Sequence, residues 1–486
     1  MSRPITLGLD LGTSAVKVVA LGWNDVLLGE GVAAFETSTV LAGQAEQLPQ
    51  DWVQATRRAM QGLRDGLDRT EGAGWLDRIR AIGVTGQLPT LVCLTDDGVL
   101  GPAITWRDGR ADAWAATRVN ATKRAQLYAA TGMPIDGRYL APMLQFHFGD
   151  RLADIACILS AKDYLVHALT GRRVTEPSTA AGYGVYDLAA RRFGEDLCGF
   201  WDLPTRLLPQ VLPANSLAGP LSASGAALLG LSPGIPVSTG AADSVCAAYA
   251  MSGLDERSVS VSFGSSAVIV GVSATARLDA SARYLVTPHV SDGWYGLEMD
   301  LLATGTGYRW LSDLFGWTGN ELDLHARESL PGSHGLFFPP YLGGGEQGAL
   351  WNPRLKGALS GLTLRHSRHD IARAYLEGVF YEIRRCIDVL AELTPIDRVR
   401  VSGNLVHAPQ SMQMLADIVE RGVSASMDKS PAAIGAATLA RSIAASNERI
   451  ESTARDALTV TEPDAATARL YQSLYRDYVG RAAACE

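Results

Sequence analysis

The sequence predicts an α/β protein made of two related halves, and three observations carry that prediction. Ile5, Leu7, Leu9 and Leu11 alternate with Thr6, Gly8 and Asp10, then Gly12-Thr13-Ser14 turn the chain into a β-branched run from Val16 to Val19. That is the period-two pattern of a hairpin with one buried face and Asp10 pointing away from it. Strand-like runs and helical spacing then alternate along the whole chain. Finally, Val259 to Val270 repeats the order found at Leu9 to Val18: apolar strand, Gly264 for Gly12, Ser265-Ser266 for Thr13-Ser14, Ala-Val, apolar strand. A weaker echo links Arg78–Gly86 with Arg398–Gly403.

The elements follow in order. Val26 to Phe35 reads as a further strand, and Trp52, Ala55, Ala59 and Leu63 give Asp51–Leu67 a helical stripe. A strand at Ile79–Thr85 is broken by Gly86-Gln87-Leu88-Pro89-Thr90 and is expected to resume at Leu91–Leu94. Ile104 to Arg110 read as a polar, aromatic loop opening a helix through Ala111 to Arg118, and 121–200 reads as mainly helical and loop-rich. Around Gly240 the pattern is strand, glycine turn, then a helix opened by Asp243. Leu301 to Leu311 leads into a helix through Gly305, and Ile371–Leu393 is a long amphipathic helix. The Gly403-Asn404-Leu405 turn precedes a helix at Gln410–Glu420, and Pro431 opens a small-residue helix suited to close packing. Beyond Ser446 the tail reads as helical and polar.

With 486 residues, 47% of them hydrophobic and 19% charged, the chain has room for two soluble domains. A net charge of −8 and the absence of any Lys/Arg-rich run argue against a nucleic-acid or anionic-membrane surface. No apolar run approaches the ~20 residues of a membrane span, and the N-terminus enters a strand at once, leaving no room for a signal peptide. The six cysteines are scattered without metal-ligand spacing, as reduced thiols of a cytoplasmic protein would be, and His366 and His369 are expected at the surface rather than on zinc.

Two carboxylates stand out. Asp10 sits at the mouth of a turn of small residues, where backbone N–H groups and hydroxyls can approach a ligand; a metal-bound phosphate chain suits that combination, and an ordinary hairpin also explains it. Asp243 at a strand-to-helix turn is a sound helix cap, and it can equally accept a proton from a substrate hydroxyl; the two roles are compatible. Two copies of one unit facing each other would leave a cleft with a hydroxyl-bearing hairpin on each wall, able to hold a polyphosphate and exclude water on closure.

These landmarks resemble, in order and over nearly the full length, those of the FGGY family of carbohydrate kinases in the actin-like (ribonuclease H-like) ATPase superfamily. The matching segments are Asp10 to Ser14, Gly86 to Thr90 in part, Trp106-Arg107-Asp108-Gly109-Arg110, Lys162-Asp163-Tyr164, Ala242-Asp243-Ser244 and Phe263 to Ser266. Gly357 to Leu362 with Asp370, Ile371, Ala374 and Glu377 nearly meets the C-terminal signature. The resemblance implies an α/β fold of two actin-like domains flanking a central nucleotide and sugar cleft, 1–245 binding sugar and 246–486 binding nucleotide. It implies an ATP-dependent kinase for a ketopentose such as D-xylulose, or for another sugar, sugar acid or polyol. Asp243 would be the general base and Asp10 would hold Mg²⁺. Gly12, Thr13, Ser14 and Lys17 with Gly264, Ser265 and Ser266 would hold phosphates, and Gly305, Gly403 and Asn404 would border the nucleotide. Gln87, Leu88, Trp106, Asp108, Asp243 and Ser244 would line the sugar site. Partners would be a small sugar and ATP, with no nucleic acid and no membrane; a homodimer stays open, as does a non-catalytic binding protein. Three segments depart from the family pattern: Leu88-Pro89 where members acting on xylulose carry Met-His, Asn404-Leu405-Val406 where two glycines and Ala are usual, and Ser244 in place of Asn or Gln.

Overall fold

A computed structural model describes residues 3–318, 321–352, 354–426, 428–444 and 460–483. The chain divides into two compact units, the first comprising Met1–Ala250, Val286–Gly296 and Ser430–Thr453, the second the remainder. The segments 286–296 and 430–444 are counted with the first unit although they follow residue 250 in the chain.

Unit 1 is built on a mixed sheet. Its strands are β1 (Ile5–Leu11), β2 (Ala15–Gly22), β3 (Leu27–Ala34), β4 (Ile79–Gly86), β5 (Leu217–Pro220), β6 (Pro236–Ser238) and the two-residue β7 (Ala241–Ala242). The order is β5-β6-β4-β1-β2-β3, with β7 following β6 alongside β4. β1 runs antiparallel to β2 and parallel to β4, so its carboxyl end lies beside those of β4 and β7. Helix α1 (Pro49–Thr70) lays Trp52, Ala55, Ala59 and Leu63 into the core, the stripe its spacing predicts. Further along come α2 (Ala161–Thr170), the short α3 (Pro177–Ala181) and α4 (Asp243–Ser252).

Thr90–Leu94 does not resume β4. It pairs with Ala103–Thr105 and Cys157–Leu159 in a separate four-stranded sheet. Pro89 has no N–H to offer a ladder, and the chain leaves the sheet there.

Unit 2 repeats the plan with β8 (Ser258–Phe263), β9 (Ala267–Ser273), β10 (Tyr295–Leu301), β11 (Arg398–Gly403) and β12 (Gly422–Ala425), in the order β10-β9-β8-β11-β12. β8 is antiparallel to β9 and parallel to β11, as β1 is to β2 and β4. Both sequence echoes therefore mark the same two strand positions. Its helices include α5 (Thr304–Phe315), α6 (Arg368–Ala391) and α7 (Pro409–Val419). The chain then returns to unit 1 as α8 (Pro431–Ala444), before α9 (Ala465–Ala483). Residues 446–459 of the expected helical tail lie outside the described residues.

Helix α8 corrects one expectation. β1 is buried on both faces, Asp10 included at 4% exposure, because α8 covers the face opposite α1. The approach is close enough to demand glycine: a Cβ at Gly8 would lie 1.8 Å from the Ala433 carbonyl oxygen, and one at Gly83 2.0 Å from that of Ala436. The small-residue helix is the complement of those two glycines.

Candidate active site

In unit 1 three strand ends meet in a row. Leu11 of β1 and Ala242 of β7 both pair with Gly86 of β4, so Asp10, Gln87 and Asp243 stand on adjacent strands, about 5 Å apart per strand. Ligands of open α/β sheets bind outside such carboxyl ends.

Asp10 faces Lys17 across the hairpin, Nζ to Oδ2 3.8 Å, with Lys17 35% exposed. Its Oδ1 is buried with no hydrogen-bond partner among the described residues. Burial pushes its carboxyl above the usual range; Lys17 pulls it down and Glu30 adds to the rise. The turn itself is closed by Gly12 N–H donating to the Ala15 carbonyl at 3.1 Å; Thr13 is half-buried and Ser14 exposed.

Gln87 is 1% exposed. Its N–H donates to the Leu11 carbonyl (2.8 Å) and its Nε2 to Gln47 Oε1 (2.8 Å), while its own Oε1 is left buried without a partner among the described residues. Gln47 in turn donates to the Thr13 carbonyl at 2.8 Å and so ties the Gly12–Ser14 turn to the Gln87 side chain. Gln47 was not singled out from sequence; it lies 40 residues from Gln87, and nothing local marks it.

Asp243 opens α4, half-buried, its Oδ1 accepting from the Ser244 N–H at 2.9 Å. Leu88 and Trp106 are also half-buried, and Leu88 lies against Gly182. Asp108 is different: it is 1% exposed and already engaged. Its Oδ2 accepts from the Ala45 N–H (2.9 Å) and from Arg110 Nη2 (2.6 Å), and its Oδ1 from the Arg110 N–H (3.1 Å). Burial would raise its carboxyl, but Arg110 and the two backbone bonds outweigh it and hold it low. Its visible work is to shape the loop.

In unit 2 the second hairpin turn holds Gly264 and Ser265 exposed and Ser266 half-buried. Thr306 anchors it, N–H and Oγ1 both donating to the Ser265 carbonyl at 3.1 and 2.8 Å. Gly305 permits this, since a Cβ there would sit 2.0 Å from the Gly264 carbonyl oxygen. Gly403 has φ +88° and would carry its Cβ 1.9 Å from the Phe263 carbonyl oxygen; Asn404 beyond it is exposed and begins a 3₁₀ turn.

These elements border a cavity of about 500 Å³, lined by Phe263, Gly305, Tyr308, Trp317, Phe380 and Leu405 among others. Thr304 Oγ1, Ser312 Oγ and Trp317 Nε1 line it too, buried and without partners among the described residues. An apolar chamber with a few unsatisfied polar groups is the chemistry of a small-molecule site. Sequence reading missed Tyr308, Ser312 and Trp317; Thr304, Tyr308 and Ser312 share an i, i+4, i+8 face of α5, which is the signal that marks the first two.

Among the described residues no group of three or more His, Cys, Asp or Glu could hold a metal ion, and no helix is long and apolar enough to cross a membrane. The five cysteines described are free and buried.

Comparison with known proteins gives this geometry a family. The N-terminal domain of the FGGY family of carbohydrate kinases matches residues 5–250 and its C-terminal domain residues 259–444. A xylulose kinase of Escherichia coli (strain K12) is 31% identical over 458 residues, covering 91% of this chain and 90% of that protein. A gluconokinase of Bacillus subtilis (strain 168) is 25% identical over 455 residues, covering 89% and 86%. The crystal structure of xylulose kinase from Rhodospirillum rubrum has a TM-score of 0.87 at 29% identity, over 98% of both chains. With both domains matched, the repeated sheet plan is that of the actin-like ATPase fold, and the chain belongs to the FGGY family of carbohydrate kinases, ATP-dependent phosphotransferases.

Proposed function

We propose that this kinase transfers the γ-phosphate of ATP to a hydroxyl of a ketopentose, D-xylulose first among them, giving D-xylulose 5-phosphate. The observation that carries the reading is the row of strand ends in unit 1. It presents a carboxylate at Asp243, an unpartnered amide oxygen at Gln87 and an unpartnered carboxylate oxygen at Asp10. The similarity to a xylulose kinase at 31% identity supports the ketopentose over the sugar acid named by the 25% relative.

The roles follow from the chemistry each group can do. Gln87 Oε1 accepts a hydrogen bond from a sugar hydroxyl, Trp106 and Leu88 offer apolar surface to its C–H faces, and Ser244 supplies a further hydroxyl. Asp243 takes the proton of the attacking hydroxyl as its oxygen bonds to the γ-phosphorus; the bond from that phosphorus to the β-bridging oxygen breaks, ADP leaves, and Asp243 returns the proton to solvent. General-base action of this kind contributes about 10²–10⁴ in rate.

Asp10 fits a hard divalent cation, because its buried, unpartnered Oδ1 is an oxygen donor awaiting a charge. Mg²⁺ held there would neutralise charge on the β- and γ-phosphates. Gly12, Thr13, Ser14 and Lys17 in one turn, and Gly264, Ser265 and Ser266 in the other, hold phosphate oxygens. Gly305, Gly403 and Asn404 border the base in the unit 2 cavity. Asp108 holds the Trp106 loop in shape. The reading also takes the protein as cytoplasmic.

The test is ADP release from Mg–ATP against ketoses, aldoses, polyols and sugar acids. D-xylulose is expected to give the highest kcat/KM. A higher value for gluconate would move the substrate, and no response from any compound would overturn catalysis itself.

A further inference from the structure

Strand β7 is only two residues long, yet it delivers Asp243. Three buried side chains outside the proposed site, Thr85, Ser178 and Lys162, take up the backbone around it. Thr85 Oγ1 donates to the Ala241 carbonyl at 2.7 Å, and the Ala242 N–H donates to Ser178 Oγ at 2.9 Å. Lys162 Nζ donates to the Thr239 carbonyl at 2.8 Å and to Asp163 Oδ1 at 2.6 Å. Between them Gly240, at φ +76°, makes a step no other residue fits, since a Cβ there would meet the Val84 carbonyl oxygen at 1.7 Å.

The Ser178 hydroxyl can accept from Ala242 because Glu176 directs its proton the other way. Ser178 Oγ lies 2.9 and 2.8 Å from the two Glu176 carboxylate oxygens, which also accept the N–H groups of Ser178 and Thr179 at 2.8 Å each. Lys162 Nζ stands 4.0 Å from Glu176 Oε1 and balances part of its charge. Lys162, Asp163, Glu176 and Ser178 are each at most 1% exposed. A buried ion network of this kind is weak support for stability, since apolar packing of the same volume does as well or better. Its place at the foot of Asp243 suggests a different use.

We propose that Ser178 is a positioning residue for Asp243: its hydroxyl, oriented by Glu176 and backed by Lys162, fixes the Ala242 peptide and with it the carboxylate that opens α4. This rests on the general-base reading of Asp243. The hydrogen bond sits one peptide before the base, so its loss allows the turn to relax without touching the nucleotide cavity of unit 2.

The test compares three variants of the full chain with saturating Mg–ATP and the best sugar of the panel. Ser178→Val and Ser178→Thr have the same shape and differ in the hydroxyl alone, and Ser178→Ala removes the hydroxyl without added bulk. Ser178→Ala and Ser178→Val are expected to lose tenfold or more in kcat with the KM for ATP within about twofold of wild type. Ser178→Thr is expected to recover most of that turnover. In an Asp243→Ala background the Ser178→Ala change should cost no further turnover, because groups acting through one another are not additive. Equal kcat for the Thr and Val variants, or the same loss in both backgrounds, would overturn the positioning role. Near-normal turnover of Asp243→Ala alone would instead overturn the base assignment and the inference built on it.

Discussion

Asp10 costs the fold free energy, a cost that the proposed metal role would return as binding. An ionised carboxylate buried at 4% exposure with one oxygen unpartnered is expensive, and Lys17, a third exposed, offsets only part of the cost. Its raised pKa fixes the sign: the folded protein keeps a proton that the unfolded chain releases, so this group's contribution to stability falls as pH rises through the raised value. Asp10→Asn is therefore expected to melt higher than wild type at pH 8 while losing most Mg–ATP-dependent turnover. Because cation binding requires the ionised form, Mg²⁺ alone should raise the wild-type melting temperature more at pH 8 than at pH 5.5, and leave Asp10→Asn unmoved. An equal Mg²⁺ shift in the variant would remove Asp10 from the metal site. At this scale the sequence marks Asp10 and Asp243 well, since each sits at a local strand-to-turn signature. It marks Gln47, Ser178 and Glu176 poorly, because their partners lie on other elements and each residue is unremarkable where it stands.

Elements pack here through glycines that bring backbones into contact. Gly83→Ala would drive a Cβ to 2.0 Å from the Ala436 carbonyl oxygen, so α8 must lift from the sheet. A cost of about 3 kcal/mol and a clearly lower melting temperature are expected. Gly66 in α1 has nothing within 4 Å of its Cβ position, and Gly66→Ala should be neutral or slightly stabilising, which makes it the control. Gly305→Ala pushes α5 from the Gly264 turn, and the expected result is a KM for ATP raised about tenfold or more with the sugar KM little changed; an unchanged ATP KM would separate that turn from nucleotide binding. The long helices are legible in sequence, Asp51–Leu67 lying within α1 and Ile371–Leu393 overlapping α6 but running past its end at Ala391, because their apolar stripes are local and regular. Pairing partners are not legible in the same way. β7 is too short for any period, Thr90–Leu94 left its expected sheet at a proline, and the return of α8 to unit 1 joins residues more than 400 positions apart, as Gly8 and Ala433 do.

The whole molecule uses one sheet plan twice and gives each copy a different chemistry. The position of Asp10, two residues before the turn glycine, is taken in unit 2 by Ser262, which pairs with Ser402 as Asp10 pairs with Thr85. Asp10, Asp243 and an open amide oxygen thus gather at the strand ends of the first copy, whereas the second has hydroxyls at its turn and the cavity of about 500 Å³, whose walls include Arg309, Asp313 and Asp323. The repeat was visible in the sequence because the hairpin turn needs the same small residues wherever it occurs. The cavity was not, because Tyr308, Trp317, Phe380 and Leu405 come together only after folding. The most direct measurement is turnover of Asp243→Ala with Mg–ATP and D-xylulose, made beside its ATP affinity. Turnover is expected to fall by about 10²–10⁴ with ATP affinity within a few-fold of wild type. Turnover near the wild-type level would contradict phosphoryl transfer with Asp243 as its base.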